Sequence, residues 1–200
     1  MNEPVSKYAN PYWDGHIKPH RVEPDEIKNL CLRAFQCVMS THGVASIYTN
    51  AEAEEEEQDL DIPLLLELYR ERAEPDLSAS LLRIAILLRT LEDQIIDIDT
   101  TGNFSAFLAD LNADPDEYGT VFEGDGITLR LRECCNKIIH AADFRPVYDN
   151  SNSPTEYGGW AMDGQLELQG IRGSKPWSVT IYLTRFLEGA LAFCDEAKKY

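Results

Sequence analysis

The stretch Leu129-Arg-Leu-Arg-Glu-Cys-Cys-Asn-Lys-Ile-Ile-His-Ala-Ala142 carries a helical period, and the fold is read outward from it. At about 100° per residue, with Arg132 set at 0°, Asn136 falls near 40° and His140 near 80°. Cys134, Cys135, Ile138, Ile139 and Ala142 cluster between roughly 200° and 340°, which makes them the core-facing stripe. Glu133, Lys137 and Arg130 complete the polar side. Arg132, Asn136 and His140 thus rise at successive four-residue steps on that side, just before a loop expected from Asp143. The plain reading of such a face is solvation. The functional alternative is a site in which Asn136 hydrogen-bonds one ring nitrogen of His140 and fixes its tautomer.

Upstream, Ser78 or Ser80 caps a helix running to about Asp97. Its apolar content (Leu81, Leu82, Ile84, Ala85, Ile86, Leu87, Leu88, Leu91, Ile95, Ile96) marks a central helix buried on more than one face. Arg83, Arg89, Glu92 and Asp93 form its polar side. Ile62–Arg72 reads as a separate helix, ended by Pro75. The first helix opens at Glu23-Pro24-Asp25-Glu26, buries Ile27, Leu30, Cys31, Ala34, Phe35, Val38 and Met39, and stops near Gly43. Glu52 and the run Glu54–Asp61 read as a solvated acidic loop, which also suits a basic partner. Asn103–Leu111 is a short helix or packed loop, and Asp110–Asp125 is rich in turn residues.

Downstream, Asp149–Pro154 is a loop by composition. Gln165–Gly170 and Trp177–Leu183 alternate apolar and polar residues, so they form a β-hairpin. Gly170-Ile-Arg-Gly-Ser-Lys175 has a superficial likeness to a phosphate cradle, but it sits between strands and lacks the Walker spacing, so it is read as the hairpin turn. A last helix buries Phe186, Leu187, Ala190, Leu191, Phe193 and Cys194.

The expected fold class is mainly α: a helical bundle with a C-terminal β-hairpin packed on it. One domain covers 1–200, with an N-terminal arm over 1–22, the bundle over 23–145, and the hairpin plus last helix over 157–200. In the arm, Tyr8, Tyr12 and Trp13 are expected to pack onto the domain. Asp14, His16 and His20 are not aligned by any helix, and no metal is expected there.

A net charge of −17 argues against broad binding to nucleic acid or to anionic membranes, yet it permits a local site for one phosphate. No apolar run is long enough to span a bilayer and the N-terminus lacks a leader's apolar core, so the expected setting is the cytoplasm, away from membranes. The five cysteines form no Cys-x-x-Cys pair and are read as small buried hydrophobes. No dinucleotide, Walker or nucleophile-elbow motif occurs, so neither a cofactor nor a metal is expected.

The helix Leu131-Arg-Glu-Cys-Cys-Asn-Lys-Ile-Ile-His-Ala141 resembles the motif helix of the HEPN superfamily. Those proteins are α-helical bundles of bacterial toxin and antiviral systems. Active members are metal-independent RNases that use an Arg and a His, typically across a symmetric dimer. Others are non-catalytic binding or scaffold domains. The resemblance implies His140 as general acid or base, Arg132 as the group that stabilises phosphoryl charge, and Asn136 as the residue that orients the imidazole or the phosphate. It implies a homodimer, and RNA as partner if the chain is an enzyme. The alternative is a non-catalytic domain that binds a protein partner. This chain departs from the motif in having seven residues between Arg132 and His140 where four to six are usual. The two therefore lie about 12 Å apart along the helix axis, and a two-fold dimer would be needed to pair them. A local positive pocket is also expected, with Arg130, Arg132, Lys137 and Arg145 near enough in sequence to supply it.

Overall fold

Proline at the first helical position opens α1 (Pro24–Glu54), where its missing N–H costs nothing and Asp25 and Glu26 meet the positive end of the helix dipole. The computed structural model describes residues 22–54, 64–114, 116–124, 126–149, 151 and 160–200. The N-terminal arm lies outside the described residues, as does the acidic run beyond Glu54. Helix α1 continues through Gly43, its expected stop. The buried stripe Ile27, Leu30, Cys31, Ala34 and Val38 is carried on by Thr41 and Ala45, and this packing outweighs a glycine cost of about 1 kcal/mol.

The second helix, α2 (Leu64–Ile98), contains Pro75 and is continuous where two helices were expected. The proline deletes one backbone hydrogen bond, at about 3 kcal/mol. Ala73 and Leu77 on either side of it are buried, as are Leu81, Ile84, Ala85 and Leu88 further along, and that burial holds the helix together. α1 and α2 lie antiparallel. Tyr69 Oη donates to Cys37 O at 2.8 Å, Cys37 Sγ donates to Ala73 O at 3.2 Å, and Arg83 pairs with Glu26 at the other end. The short α3 (Asn103–Leu111) seats Phe104 edge-on against Phe193, with ring centroids 5.4 Å apart.

The expected bundle with a hairpin on its side is not what forms. A four-stranded antiparallel sheet, ordered β1-β4-β3-β2, takes the place of the lone hairpin. Its strands are β1 (Gly119–Glu123), β2 (Asp143–Asp149), β3 (Ala161–Arg172) and β4 (Lys175–Tyr182). The chain then enters α5 (Leu183–Ala197) directly from β4. The two central strands are the hairpin read from the sequence, and two edge strands flank it. β2 contains Pro146, which has no N–H to give and is tolerated because β2 pairs on one side only. β1 is five residues long, in a turn-rich segment, and carries an irregularity between Val121 and Glu123.

Along β3, Leu166, Leu168 and Gly170 are buried while Gln165, Glu167 and Gln169 are exposed. One face of the sheet is thus packed, as expected of an antiparallel sheet with helices on one side. Helices α1, α4 (Leu131–His140) and α5 meet it there. Residues from Val22 to Ala197 join in one hydrophobic core. No helix among the described residues is long and apolar enough to cross a membrane.

One hydrogen bond buried in the core ties α1 to the sheet. Thr41 Oγ1, on α1, accepts the Met162 N–H of β3 at 3.0 Å and donates to Val38 O at 2.6 Å, all within the core. Replacing Thr41 by Val keeps the shape and strands the Met162 N–H. The expected loss is about 1–3 kcal/mol, read as a lower urea midpoint, with Thr41→Ser close to the parent. A Thr41→Val midpoint equal to the parent's would contradict this role.

Candidate functional site

Helix α4 has no side-chain cap of its own: its N-cap position is Arg130. Asn112, at the end of α3, supplies one by accepting the Leu131 N–H at 2.8 Å. This fixes one end of the helix. At the other end Ala141 turns extended, and Ala142 N–H donates to Gln169 O of β3 at 2.8 Å. His140 is therefore held at the seam between α4 and the sheet, and β2 starts where a loop was expected. Cys134, Cys135 and Ile138 face the core as the helical period predicts. Burial raises the thiols of Cys134 and Cys135 well above their usual range and pushes Cys31 and Cys194 up to about 12. None of these four is a thiolate near neutral pH.

The polar side of α4 splits in two. Arg132 turns to α2, where Nη1 lies 3.1 Å from Glu92 Oε2 and 2.9 Å from Asp93 Oδ1. Asn136, Lys137 and His140 face the other way, into a cleft of about 510 Å³. The structure therefore does not bring Arg132 to His140 within one chain. Asn136 Nδ2 donates to Glu133 Oε2 at 2.9 Å, and among the described residues no hydrogen bond joins it to His140.

Lys137, expected on the solvated side, is 3% exposed. Its ammonium sits 3.3 Å from Glu133 Oε1 and 4.3 Å from the centre of the Trp177 ring. A buried cation needs such partners, since desolvation alone costs several kcal/mol. Asn136, Glu133, Lys137 and Trp177 thus form one chain of contacts across the floor of the cleft. Trp177 in turn lies over Gly170, its register partner on β3. A Cβ at residue 170 would stand 2.4 Å from Trp177 Cζ2 and 3.0 Å from the His140 carbonyl oxygen. Only glycine leaves room for the indole there.

Arg89 of α2 and Arg172 at the end of β3 complete the lining, with Ile171 and Gly173. Arg89 Nε is buried and has no hydrogen-bond partner among the described residues. Among those residues neither arginine forms an ion pair. Of the cations expected to build a positive pocket, only Lys137 lines this one. Arg130 is exposed elsewhere, Arg132 is bound to α2, and Arg145 pairs with Asp143. Arg89, Arg172 and Trp177 escaped the sequence reading as site residues. Arg89 was visible only as a polar position on the central helix, and nothing local aims it at residue 140. The sole hint for Arg172 was the Gly170–Lys175 run, which is a hairpin turn as its composition suggests and also forms a wall of the cleft. Among the described residues no group of three or more His, Cys, Asp or Glu is placed to hold a metal ion.

No protein-family model matches this chain, and no curated protein or solved structure matches it significantly. The site is therefore read from its own geometry.

Arg132 and Glu92 give a direct check on that geometry. Burial raises the Glu92 pKa, and the opposing pull of Arg132 does not cancel the rise. A carboxyl raised in the fold stabilises it below its unfolded pKa, and that contribution is lost as pH climbs through the folded value. Glu92→Gln should then leave stability at pH 7 unchanged or higher. Arg132→Met removes the countercharge and should cost about 1–3 kcal/mol, discounted for its partial exposure. Thermal melts of both variants between pH 4 and pH 8 check the pair, and an Arg132→Met melt identical to the parent at pH 7 would refute it.

Proposed function

We propose that the protein binds a phosphate-bearing ligand in the cleft between α4, α2 and the β3–β4 turn. The observation that carries this reading is the convergence of Arg89, Lys137, Arg172 and His140 on one cleft against the single carboxylate of Glu133. This cleft belongs to a chain of net charge −17. Random placement on such a surface would surround a cleft with acid. Among the described residues neither Arg89 nor Arg172 is in close ion-pair contact with an acid, so their donors can meet phosphate oxygens in the cleft. Lys137 on the floor balances Glu133 and so keeps that carboxylate from repelling phosphate, which leaves the net positive charge of the cleft to Arg89 and Arg172.

A second reading is supported by the position of His140, which is exposed and lines the same cleft as Arg89. If the ligand is RNA, His140 takes the proton of a 2′-hydroxyl as its oxygen attacks the adjacent phosphorus; the P–O5′ bond breaks, leaving a 2′,3′-cyclic phosphate, the departing 5′-oxygen takes a proton from water, and the arginines stabilise the charge on the phosphoryl oxygens. This keeps the chemistry implied by the HEPN resemblance but moves the arginine's role from Arg132 to Arg89. No residue of a second copy is then needed. The binding reading and the catalytic one share a site and differ only in what His140 does.

Fluorescence anisotropy with a short labelled single-stranded RNA, in EDTA, tests both. Binding should weaken as salt rises and fall at least tenfold in Arg89→Gln and in Lys137→Met, a variant that keeps the packing volume. Cleavage of the same RNA by the parent, and its loss in His140→Ala, would add the catalytic step. Affinity unchanged in Arg89→Gln and Lys137→Met would overturn the site.

A further inference from the structure

Beyond the cationic cleft, across Ile171 and Trp177, lies a second hollow of about 640 Å³, and those two residues line both. Its character is different. Phe122 of β1 is 70% exposed and Ile171 is 68% exposed; with Pro176 they make an apolar shelf. Gln169 and Ser178 offer an amide and a hydroxyl at its edge, and Glu123 and Asp143 close it with carboxylates. Phe122 thus presents a bare aromatic face on a shelf that adjoins the cation-lined cleft. Glu123 repels phosphate from the shelf, Asp143 being paired with Arg145, so an anionic ligand has one orientation: charge in the cleft, neutral body on the shelf.

We propose that the ligand is a nucleotide or the end of a single RNA strand, with its phosphate held by Arg89 and Arg172 and its base stacked on Phe122. This rests on the phosphate reading of the cleft and extends it. A flat base suits a half-open shelf with an exposed ring, because stacking needs one free aromatic face and tolerates any base. Gln169 and Ser178 then meet the polar edge of the base, which a purely apolar occupant would leave unused.

Calorimetric titrations with adenosine monophosphate and with ribose 5-phosphate separate the two halves. The parent protein should bind the nucleotide at least tenfold more tightly than the sugar phosphate. Phe122→Ala, at an exposed position where folding is not at stake, should remove that difference and leave ribose 5-phosphate unchanged, and Phe122→Trp should restore it. Equal binding of the two ligands by the parent, or a nucleotide preference that survives Phe122→Ala, would overturn the stacking role while the phosphate site stands. Failure of both ligands to bind the parent would overturn the phosphate reading and the stacking role with it.

Discussion

The indole of Trp177 is pressed between the Lys137 ammonium and the bare backbone of Gly170, and the arrangement of the site depends on that contact. It joins α4 to the central strands at the place where the helix ends. The contact makes three demands at once. Residue 170 must lack a side chain, position 137 must carry a long cation, and Glu133 must stand one turn before it to balance the charge. Each would be a poor choice on its own: a glycine in a strand, a lysine in a core, and a carboxylate half removed from water. Together they satisfy one another, which is how a buried polar network fixes a single geometry.

Charge is organised on the same plan. The chain carries 35 acidic and 18 basic side chains, and several of the bases are spent on acids nearby: Arg132 on Glu92 and Asp93, Arg145 on Asp143, Lys28 on Asp195, Lys198 on Asp25. Among the described residues Arg89 and Arg172 make no such close ion pair, although Arg89 stands near enough to Glu92 to pull on its carboxyl. A strongly acidic molecule that gathers two guanidinium groups without close ion pairs among the described residues along one cleft concentrates its attraction for anions there. The helix that supplies the floor is pinned at both ends, by Asn112 and by the Ala142–Gln169 bond, so Lys137 does not have to be ordered when a ligand arrives.

Helical period found α4 and the core-facing Cys134, Cys135 and Ile138, because a short amphipathic helix is specified by its own residues, but it put the buried Lys137 on the solvated side. The same logic found the β3–β4 hairpin. It failed where tertiary packing overrides local preference. Pro75 and Gly43 are helix breakers by composition, yet each sits between buried apolar residues that hold the helix together. β1 and β2 were missed because an edge strand needs hydrogen bonds on one side only, which lets Pro146 and a short irregular segment take part. At the site, Asn136, Lys137 and His140 were legible as neighbours on one helix. Arg89 lies about fifty residues earlier and Trp177 nearly forty later. Their meeting is a property of how α2 and the sheet pack on α4, which no local spacing encodes. Arg132 shows the converse: in register with His140 by spacing, it is claimed by the acids of α2.

The central claim, that a ligand enters the cleft floored by Lys137 and Trp177, is tested most directly by heteronuclear NMR of the labelled protein during titration with inorganic phosphate. The account predicts saturable shifts of the Trp177 indole N–H, the His140 ring and the Arg89 and Arg172 guanidinium signals, with the outer face of the sheet at Gln165 and Glu167 unmoved. Saturable shifts that map elsewhere, or none at millimolar phosphate, would contradict it.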